Sequence, residues 1–176
     1  ITDAYGCPFT PAPVQIQSPA TPVQVSVVQT QKACFGATNG EAVATANGSN
    51  GPPFTFAWSH GSSGPAPVNF GAGAYTVTAT DTAGCTGVQT VNIQQWDSIV
   101  VNVVLIQPSC AGTPDGQAYV NLVNGGAGNG IFDNYHFQWS VPGLPDTVYI
   151  NNLPGSQNYG LTITDNIGCT AEYTYL

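Results

Sequence analysis

The sequence predicts an all-β protein built from tandem immunoglobulin-like β-sandwich repeats. Three observations lead to this fold class: landmarks that recur after about 80 residues, short segments in which apolar and polar residues alternate, and frequent turn signals. Turn signals include Asn-Gly or Asp-Gly pairs that begin at residues 39, 50, 115 and 124. The 21 Gly and 14 Pro residues are frequent enough to disfavour long helices. Six or seven short strands in each repeat are typical of a small sandwich.

The repeat is defined by four motifs that keep their order along the chain. Cys-x-Gly begins at residues 34 and 110, and Asn/Asp-Gly-x-Ala at residues 39 and 115. Phe-x-Trp-Ser begins at residues 56 and 137. Thr-Asp-x-x-Gly-Cys occupies residues 80–85 and 164–169, and also residues 2–7. We therefore predict the C-terminal tail of a preceding repeat over residues 1–19, one repeat over 20–95 and another over 96–176.

Each strand is predicted from period-two alternation or from a run of β-branched residues. In the first repeat the predicted strands cover residues 23–28, 41–46, 54–59, a short stretch around Val68, 75–80 and 88–94. In the second repeat the same patterns predict strands over residues 99–105, 135–139 and 159–163. The distance in sequence between equivalent motifs increases slightly along the repeat, because the second repeat has extra residues around 125–134.

The composition excludes several classes of protein. Only 6% of residues are charged, Lys32 is the one basic residue besides two His, and the formal net charge is −8. Binding to nucleic acid needs clustered Lys and Arg, so we expect no nucleic-acid partner. An apolar run of about 20 residues is lacking, so we expect no membrane insertion. Five Cys residues in so uncharged a chain indicate an oxidising, extracellular location.

The cysteine pairing is predicted by counting strands. If successive strands alternate in direction, the turn after the first strand and the turn before the last strand lie at the same end of a repeat. This places Cys34 beside Cys85 and Cys110 beside Cys169. The rival pairing, Cys7 with Cys34 and Cys85 with Cys110, would span a whole domain, whereas bonded Cα atoms lie within about 7 Å. We therefore predict Cys34–Cys85 and Cys110–Cys169, with the partner of Cys7 upstream of residue 1.

The order of these motifs resembles the SprB repeat, which belongs to very large cell-surface adhesins of gliding Bacteroidota. The best-matching run covers residues 74–86, and the second repeat departs from the pattern at Gly160 and by a longer approach over residues 156–158. A weaker resemblance is to the polycystic-kidney-type domain. The resemblance to the SprB repeat implies a secreted, surface-tethered protein of many repeats, exported by the type IX pathway and sometimes carried by gliding machinery.

The titratable residues do not form a catalytic or metal-binding pattern. His60 and His136 are not reproduced between the repeats and have no ligand at metal-binding spacing, so we expect structural roles for both. Asp3, Asp81 and Asp165 recur, and calcium binding or acceptance of backbone N–H bonds in a turn could explain them. One carboxylate per repeat is few for a calcium site, so the turn role is favoured. We expect no catalytic residues, no metal, no cofactor and no enzyme activity.

Four further side chains are singled out as candidate sites. Trp96 lies between the repeats, where neither Trp58 nor Trp139 lies, and is predicted to pack between the domains. Asp-Thr/Ser followed by a small or aliphatic residue resembles the O-glycosylation acceptor of Bacteroidota. The predicted glycosylation sites are Thr82, Ser98 and Thr147. Of these, Thr147 is favoured because its loop is rich in Pro and Gly.

These observations predict a structural and adhesive module of a large secreted cell-surface repeat protein or extracellular filament, with a possible link to gliding motility. The alternative is a carbohydrate-binding or accessory module of a secreted multidomain protein, which would need an exposed row of aromatic side chains. The predicted partners are neighbouring repeats of the same protein, including self-assembly into a filament, and a surface polysaccharide. End-to-end repeats joined by a short segment around Trp96 are expected to form a stiff array.

Overall fold

The computed structural model describes residues 4–8, 10, 13–14, 21–48, 51–110, 112–144, 146–155 and 157–175. Asp3 and most of the predicted tail over residues 1–19 therefore lie outside the described residues. The described part of the chain contains twelve strands and a single 3-10 turn at Phe132–Asn134. The strands are β1 Gln24–Gln31, β2 Gly40–Asn47, β3 Thr55–Trp58, β4 Val68–Phe70, β5 Gly73–Thr80, β6 Thr86–Ile93, β7 Val100–Ile106, β8 Gly116–Asn124, β9 Tyr135–Trp139, β10 Tyr149–Leu153, β11 Tyr159–Asp165 and β12 Thr170–Tyr175.

These strands form four antiparallel sheets of three strands each. The sheets in the first half of the molecule have the orders β1-β2-β4 and β3-β5-β6. Those in the second half have the orders β7-β8-β10 and β9-β11-β12. The orders match strand for strand, so the repeat seen in the sequence is also a repeat of topology. The predicted all-β, immunoglobulin-like sandwich class is confirmed. The described residues contain no helix long and apolar enough to cross a membrane.

In the first repeat the first and last strands run side by side in the same direction. At the end of β1, Ala33 forms a parallel bridge with Gln95, and its N–H donates to the carbonyl of Gln94 at 3.0 Å. The turn after β1 therefore lies at the end of the repeat from which β6 leaves for the second repeat. The β5–β6 turn lies at the opposite end, because β5 and β6 are antiparallel neighbours.

An extended segment after β3 explains why strand counting misplaces these turns. The chain reverses after Trp58, whose N–H donates to the carbonyl of Ser62 at 3.0 Å. It then runs back along β3, with a bridge between Ala57 and Ser63 and a hydrogen bond from the Gly64 N–H to the Phe56 carbonyl at 3.1 Å. This return passage lacks an alternating pattern, so the sequence does not mark it as a strand. A count that omits this passage assigns β1 and β6 opposite directions, whereas they run in the same direction. The same count therefore places the turn after β1 and the β5–β6 turn at one end of the repeat.

Each repeat has its own core, with a tryptophan in an equivalent position. The Trp58 indole N–H donates to the carbonyl of Gly64 and the Trp139 indole N–H to the carbonyl of Thr147, both at 2.9 Å. The first core consists of Ala42, Ala44, Trp58, Phe70, Val77, Val91 and Ile93. The second core contains Ile99, Ala118, Val120, Val123, Tyr135, Phe137, Trp139, Ile150, Leu153, Leu161 and Ile163, together with Cys34 and Cys169. The second cluster thus includes a residue of the first repeat.

The two histidines have different surroundings. His60 packs beside the first core, with its ring 4.2 Å from that of Phe70 and 5.3 Å from that of Tyr75, measured between centroids. Both ring nitrogens of His60 are buried without a hydrogen-bond partner. In contrast, His136 is mostly exposed, and its Nδ1 lies 2.5 Å from Oδ2 of Asp146.

We expect His60→Phe to stabilise the first repeat. Phenylalanine keeps a ring among the aromatic neighbours and removes two buried nitrogens that lack partners, each of which costs free energy. The expected gain in the free energy of unfolding is about 1 kcal/mol. Chemical denaturation followed by Trp fluorescence measures it, with His136→Phe as the exposed control. Destabilisation by His60→Phe would show that the nitrogens have partners in solution.

Candidate interface between the repeats

A disulfide joins the two repeats directly. Cys34 lies in the turn after β1 and Cys169 in the β11–β12 turn, and their Cα atoms are 5.4 Å apart although 135 residues separate them in the chain. Both cysteines are buried, with 8% and 4% of their surface exposed. The bond therefore closes the junction at which the first repeat ends and the second begins.

This pairing corrects the two disulfides predicted from the sequence. The predicted Cys34–Cys85 and Cys110–Cys169 bonds are wrong, because Cys34 is bonded to Cys169. Cys85 is half-buried and Cys110 is exposed, and neither belongs to a disulfide. The physical reason is the return passage after β3, which places Cys34 and Cys85 at opposite ends of their repeat. A seven-strand count, as in an immunoglobulin domain, is the sequence signal that would have found this.

The segment between β6 and β7 is the second connection across the junction. On the side of the first repeat, the Trp96 N–H donates to the Ala33 carbonyl at 2.9 Å, and the Gly36 N–H donates to Oε1 of Gln95 at 3.1 Å. On the side of the second repeat, the Gly126 N–H donates to the Asp97 carbonyl at 2.9 Å. Hydrogen bonds therefore hold this segment to both repeats, so it is not a free linker.

Trp96 occupies the junction. Its ring packs against the second core, and the ammonium group of Lys32 lies 4.4 Å from the ring centroid. Lys32 belongs to the first repeat and is the one Lys in a sequence without Arg. A cation over the face of an indole ring is attracted by the ring quadrupole. The residue that the sequence assigned to packing between domains thus contacts both repeats.

The turn that carries Cys169 is organised by the buried side chain of Asp165. Its Oδ1 accepts the N–H groups of Ile167 at 3.1 Å and Cys169 at 2.8 Å. Its Oδ2 accepts the Ala127 N–H at 2.8 Å, which ties in the extra residues of the second repeat. Gly126 permits this approach, since an added Cβ would lie 2.5 Å from Oδ2. The carboxylate therefore fixes the turn that presents the cysteine.

Asp81 closes the equivalent turn of the first repeat. Its Oδ1 accepts the N–H groups of Ala83 at 2.9 Å and Cys85 at 2.8 Å. This is the turn role favoured for the recurring aspartates, of which Asp3 lies outside the described residues. Among the residues that the structure describes, no three His, Cys, Asp or Glu side chains come together to hold a metal ion.

The turns after β1 and β7 are closed by equivalent polar residues. In the first repeat, Oδ1 of Asn39 accepts the Cys34 N–H at 2.8 Å. In the second, Oδ1 of Asp115 accepts the Ser109 N–H at 2.9 Å and its Oδ2 accepts the Ser109 hydroxyl at 2.6 Å. The hydrogen bond from the Ser109 side chain is the main cause that lowers the pKa of Asp115 below its ordinary value. The turn is thus formed with the carboxylate ionised.

The three predicted glycosylation sites differ in accessibility. Thr82 is exposed in the β5–β6 turn, whereas Ser98 and Thr147 are half-buried. The hydroxyl of Thr147 donates to the Tyr149 carbonyl at 3.0 Å and accepts the Tyr149 N–H at 3.2 Å. The hydroxyl of Ser98 lies 3.5 Å from the Ile99 carbonyl. On geometry, Thr82 presents the most accessible hydroxyl of the three.

The fold and the junction define a tandem pair of immunoglobulin-like sandwiches that a short segment and a disulfide join. Within this pair, residues 26–63 match the family model of the SprB repeat. This match supports the SprB-repeat family predicted from the motifs. SprB repeats belong to surface proteins, and a disulfide fits an oxidising extracellular compartment.

Comparison with curated proteins finds no match. Among solved structures, the chain is similar to the three N-terminal domains of the highly immunogenic outer capsid protein (Hoc) of bacteriophage RB49, with 17% identity, a TM-score of 0.45 and coverage of 88% of this chain and 58% of that one. It is also similar to a C-terminal 282-residue fragment of intimin, which was solved in complex with the intimin-binding domain of the translocated intimin receptor. The identity is 11%, the TM-score is 0.39, and the match covers 86% of this chain and 62% of that one. The chain thus spans less than two thirds of either.

Proposed function

We propose that this chain is a structural and adhesive module of a large secreted cell-surface repeat protein, in which rigidly joined sandwiches form a stalk or an extracellular filament. The module has no enzymatic activity in this proposal. Its partners are neighbouring repeats of the same protein and a surface polysaccharide. Export by the type IX pathway and a link to gliding motility belong to the same proposal, and the resemblance to the SprB repeat is what supports them.

The observation that supports this proposal is the double connection at the junction. One peptide segment between two domains leaves them free to bend, and relative motion is the default for small interfaces. Here the segment is hydrogen-bonded to both repeats, and the Cys34–Cys169 bond adds a second covalent connection. Because the two connections lie at separate points of the junction, they restrict both the bending and the twisting of one repeat relative to the other. Such a junction suits a module that transmits its orientation to the next one along an array.

The adhesive part of the proposal is tested with beads coated with the native chain. We expect such beads to be retained under flow on polysaccharide films more strongly than beads coated with an unrelated sandwich domain of similar net charge. Equal retention of both coatings would refute adhesion by this module. Saturable binding of the soluble chain to short oligosaccharides would instead support a carbohydrate-binding accessory module. Antibody labelling of intact source cells tests surface exposure.

We also propose O-linked glycan on the native protein at Thr82, Ser98 or Thr147, with Thr82 now favoured over Thr147 because its side chain is more exposed. A bulky glycan needs an outward-facing hydroxyl, and the Thr82 side chain is exposed in a turn. Glycopeptide mass spectrometry of protein from its native host measures occupancy at each site. The expected order is Thr82 above Thr147, and unmodified peptides at all three sites would end this proposal.

A further inference from the structure

Cys85 and Cys110 lie at the two outer ends of the pair of repeats. The β5–β6 turn with Cys85 is at the end of the first repeat that faces away from the junction. The turn after β7 with Cys110 is at the end of the second repeat that faces away from it, because β7 begins at the junction and runs outward. The two sulfur atoms therefore cannot meet within one copy of the chain.

The turn around Cys85 reproduces the turn around the bonded Cys169. In both, an aspartate Oδ1 accepts the N–H of the cysteine at 2.8 Å. The N–H of the same aspartate donates to the cysteine carbonyl, at 3.0 Å from Asp81 and at 2.9 Å from Asp165. The glycine before the cysteine has φ of 86° in one turn and 89° in the other. Cys85 is thus held in the backbone conformation that presents Cys169 to its partner.

The turn around Cys110 shares its closing hydrogen bond and its glycine with the turn around the bonded Cys34. The carbonyl of each cysteine accepts the N–H of the residue three positions later, at 3.0 Å from Ala37 and 3.1 Å from Thr113. The intervening glycines have φ of 70° and 86°. The two turns differ in the acceptor of the cysteine N–H, which is Oγ1 of Thr113 at 3.1 Å for Cys110 and Oδ1 of Asn39 at 2.8 Å for Cys34. The outer ends of the pair of repeats therefore carry counterparts of the two turns that are bonded at the junction.

We propose that Cys85 and Cys110 are half-sites of the same covalent junction, each directed at a further copy of this repeat. Cys110 pairs with the cysteine of the β5–β6-type turn in a following repeat, and Cys85 pairs with the cysteine after the first strand of a preceding one. This inference deepens the proposed tandem array by naming its partner and its bond. Every junction of such an array then has one disulfide between repeats, and none lies within a repeat.

The bond forms by thiol–disulfide exchange with a disulfide oxidant. A thiolate of one repeat attacks the oxidant and releases one thiol, and the thiolate of the neighbouring repeat then displaces the second. Overall two thiols lose two protons and two electrons, one S–S bond forms, and the oxidant is reduced to two thiols. The structure supplies the orientation of the two turns, and the adjacent repeat supplies proximity.

The test is a duplicated chain in which residues 19–176 follow residue 176. Residues 176 and 19–23 then separate β12 from the next β1, six residues in all, as many as residues 94–99 supply between β6 and β7. After refolding with reduced and oxidised glutathione, we expect a bond between Cys110 of the first copy and Cys85 of the second. Peptide mapping without reduction identifies it, after alkylation of remaining thiols. The Cys34–Cys169 bonds of both copies report that the repeats have folded and that oxidation was complete.

Two matched variants, both with Cys7→Ser, sharpen the test. Cys110→Ser in the first copy removes the predicted bond and leaves Cys85 of the second copy open to alkylation. Cys85→Ser in the first copy, at the outer end, leaves the bond intact. Alkylation of both thiols while Cys34–Cys169 is formed would overturn the proposal, and so would failure of Cys34–Cys169 to form. The proposed adhesive function can fail in the bead experiment without affecting this result, and the reverse also holds.

Discussion

Replacing Cys34 and Cys169 by alanine leaves two folded repeats that reorient about the segment between them. The double variant removes one of the two connections across the junction and, apart from the two sulfur atoms, leaves the core side chains of each sandwich unchanged. Small-angle scattering is expected to show a broader distribution of overall dimensions, and NMR relaxation is expected to give each repeat its own rotational correlation time. Loop entropy for a link across 135 residues sets an upper bound of about 5 kcal/mol on the effect on unfolding.

The matched control for this variant replaces Cys85 and Cys110 by alanine. These residues lie in equivalent turns but form no bond in the chain, so the control is expected to scatter like the unmodified protein. A reducing agent applied to the unmodified chain should reproduce the behaviour of the Cys34/Cys169 double variant. If the double variant tumbles as one rigid body, the segment of residues 94–99 alone fixes the junction, and the disulfide adds nothing to its stiffness.

Asp165→Asn is expected to destabilise the second repeat by about 3 kcal/mol, because hydrogen bonds to a charged acceptor contribute about 1.5–3 kcal/mol each. The amide can still offer one oxygen to the N–H groups of Ile167 and Cys169. Its NH₂ group then faces the Ala127 N–H, so two donors oppose each other where Oδ2 accepts a bond at 2.8 Å. Chemical denaturation followed by Trp fluorescence measures the loss.

Asp133→Asn is the control, since Asp133 is exposed and the same charge is removed. The control is expected to change the free energy of unfolding by less than about 0.5 kcal/mol. Asp165→Ala removes the acceptor of all three hydrogen bonds, from Ala127, Ile167 and Cys169. This variant should be at least as destabilising as the asparagine variant. Equal stability of Asp165→Asn and Asp133→Asn would show that the loop around Ala127 does not depend on the carboxylate.

The elements with a strong pattern were predictable from the sequence. β-branched residues and alternation located β1, β2, β5 and β6 within a few residues, because a half-buried strand imposes period two on its side chains. The turn role of Asp81 was also predictable, since an aspartate followed by Gly-Cys in a tight connection has backbone N–H groups within reach. The resemblance to the SprB repeat followed from the same motifs, and the family model supports it over residues 26–63.

The cysteine pairing was not predictable by the same route. The pairing depends on the direction of every strand in a repeat. One extended segment left out of the count therefore changes which two turns are placed at the same end. That passage, near Ser63, pairs with β3 through one isolated bridge and has neither alternation nor β-branched residues. The insertion before β9 was recognised only as extra length. Its contact with Asp165 depends on the close approach of Gly126, which a sequence pattern does not encode.

The position of Lys32 has a consequence for proteolysis. Proteases of trypsin-like specificity cleave after Lys or Arg, so the 176-residue chain offers them one bond, Lys32–Ala33. The Ala33 side chain is fully buried, and its N–H and carbonyl are hydrogen-bonded to Gln94 and Trp96. A protease must bind an extended, accessible segment around the bond it cleaves, and local opening here would have to separate β1 from the junction. Digestion of the folded protein should therefore be slow, and loosening of the junction should expose this bond first.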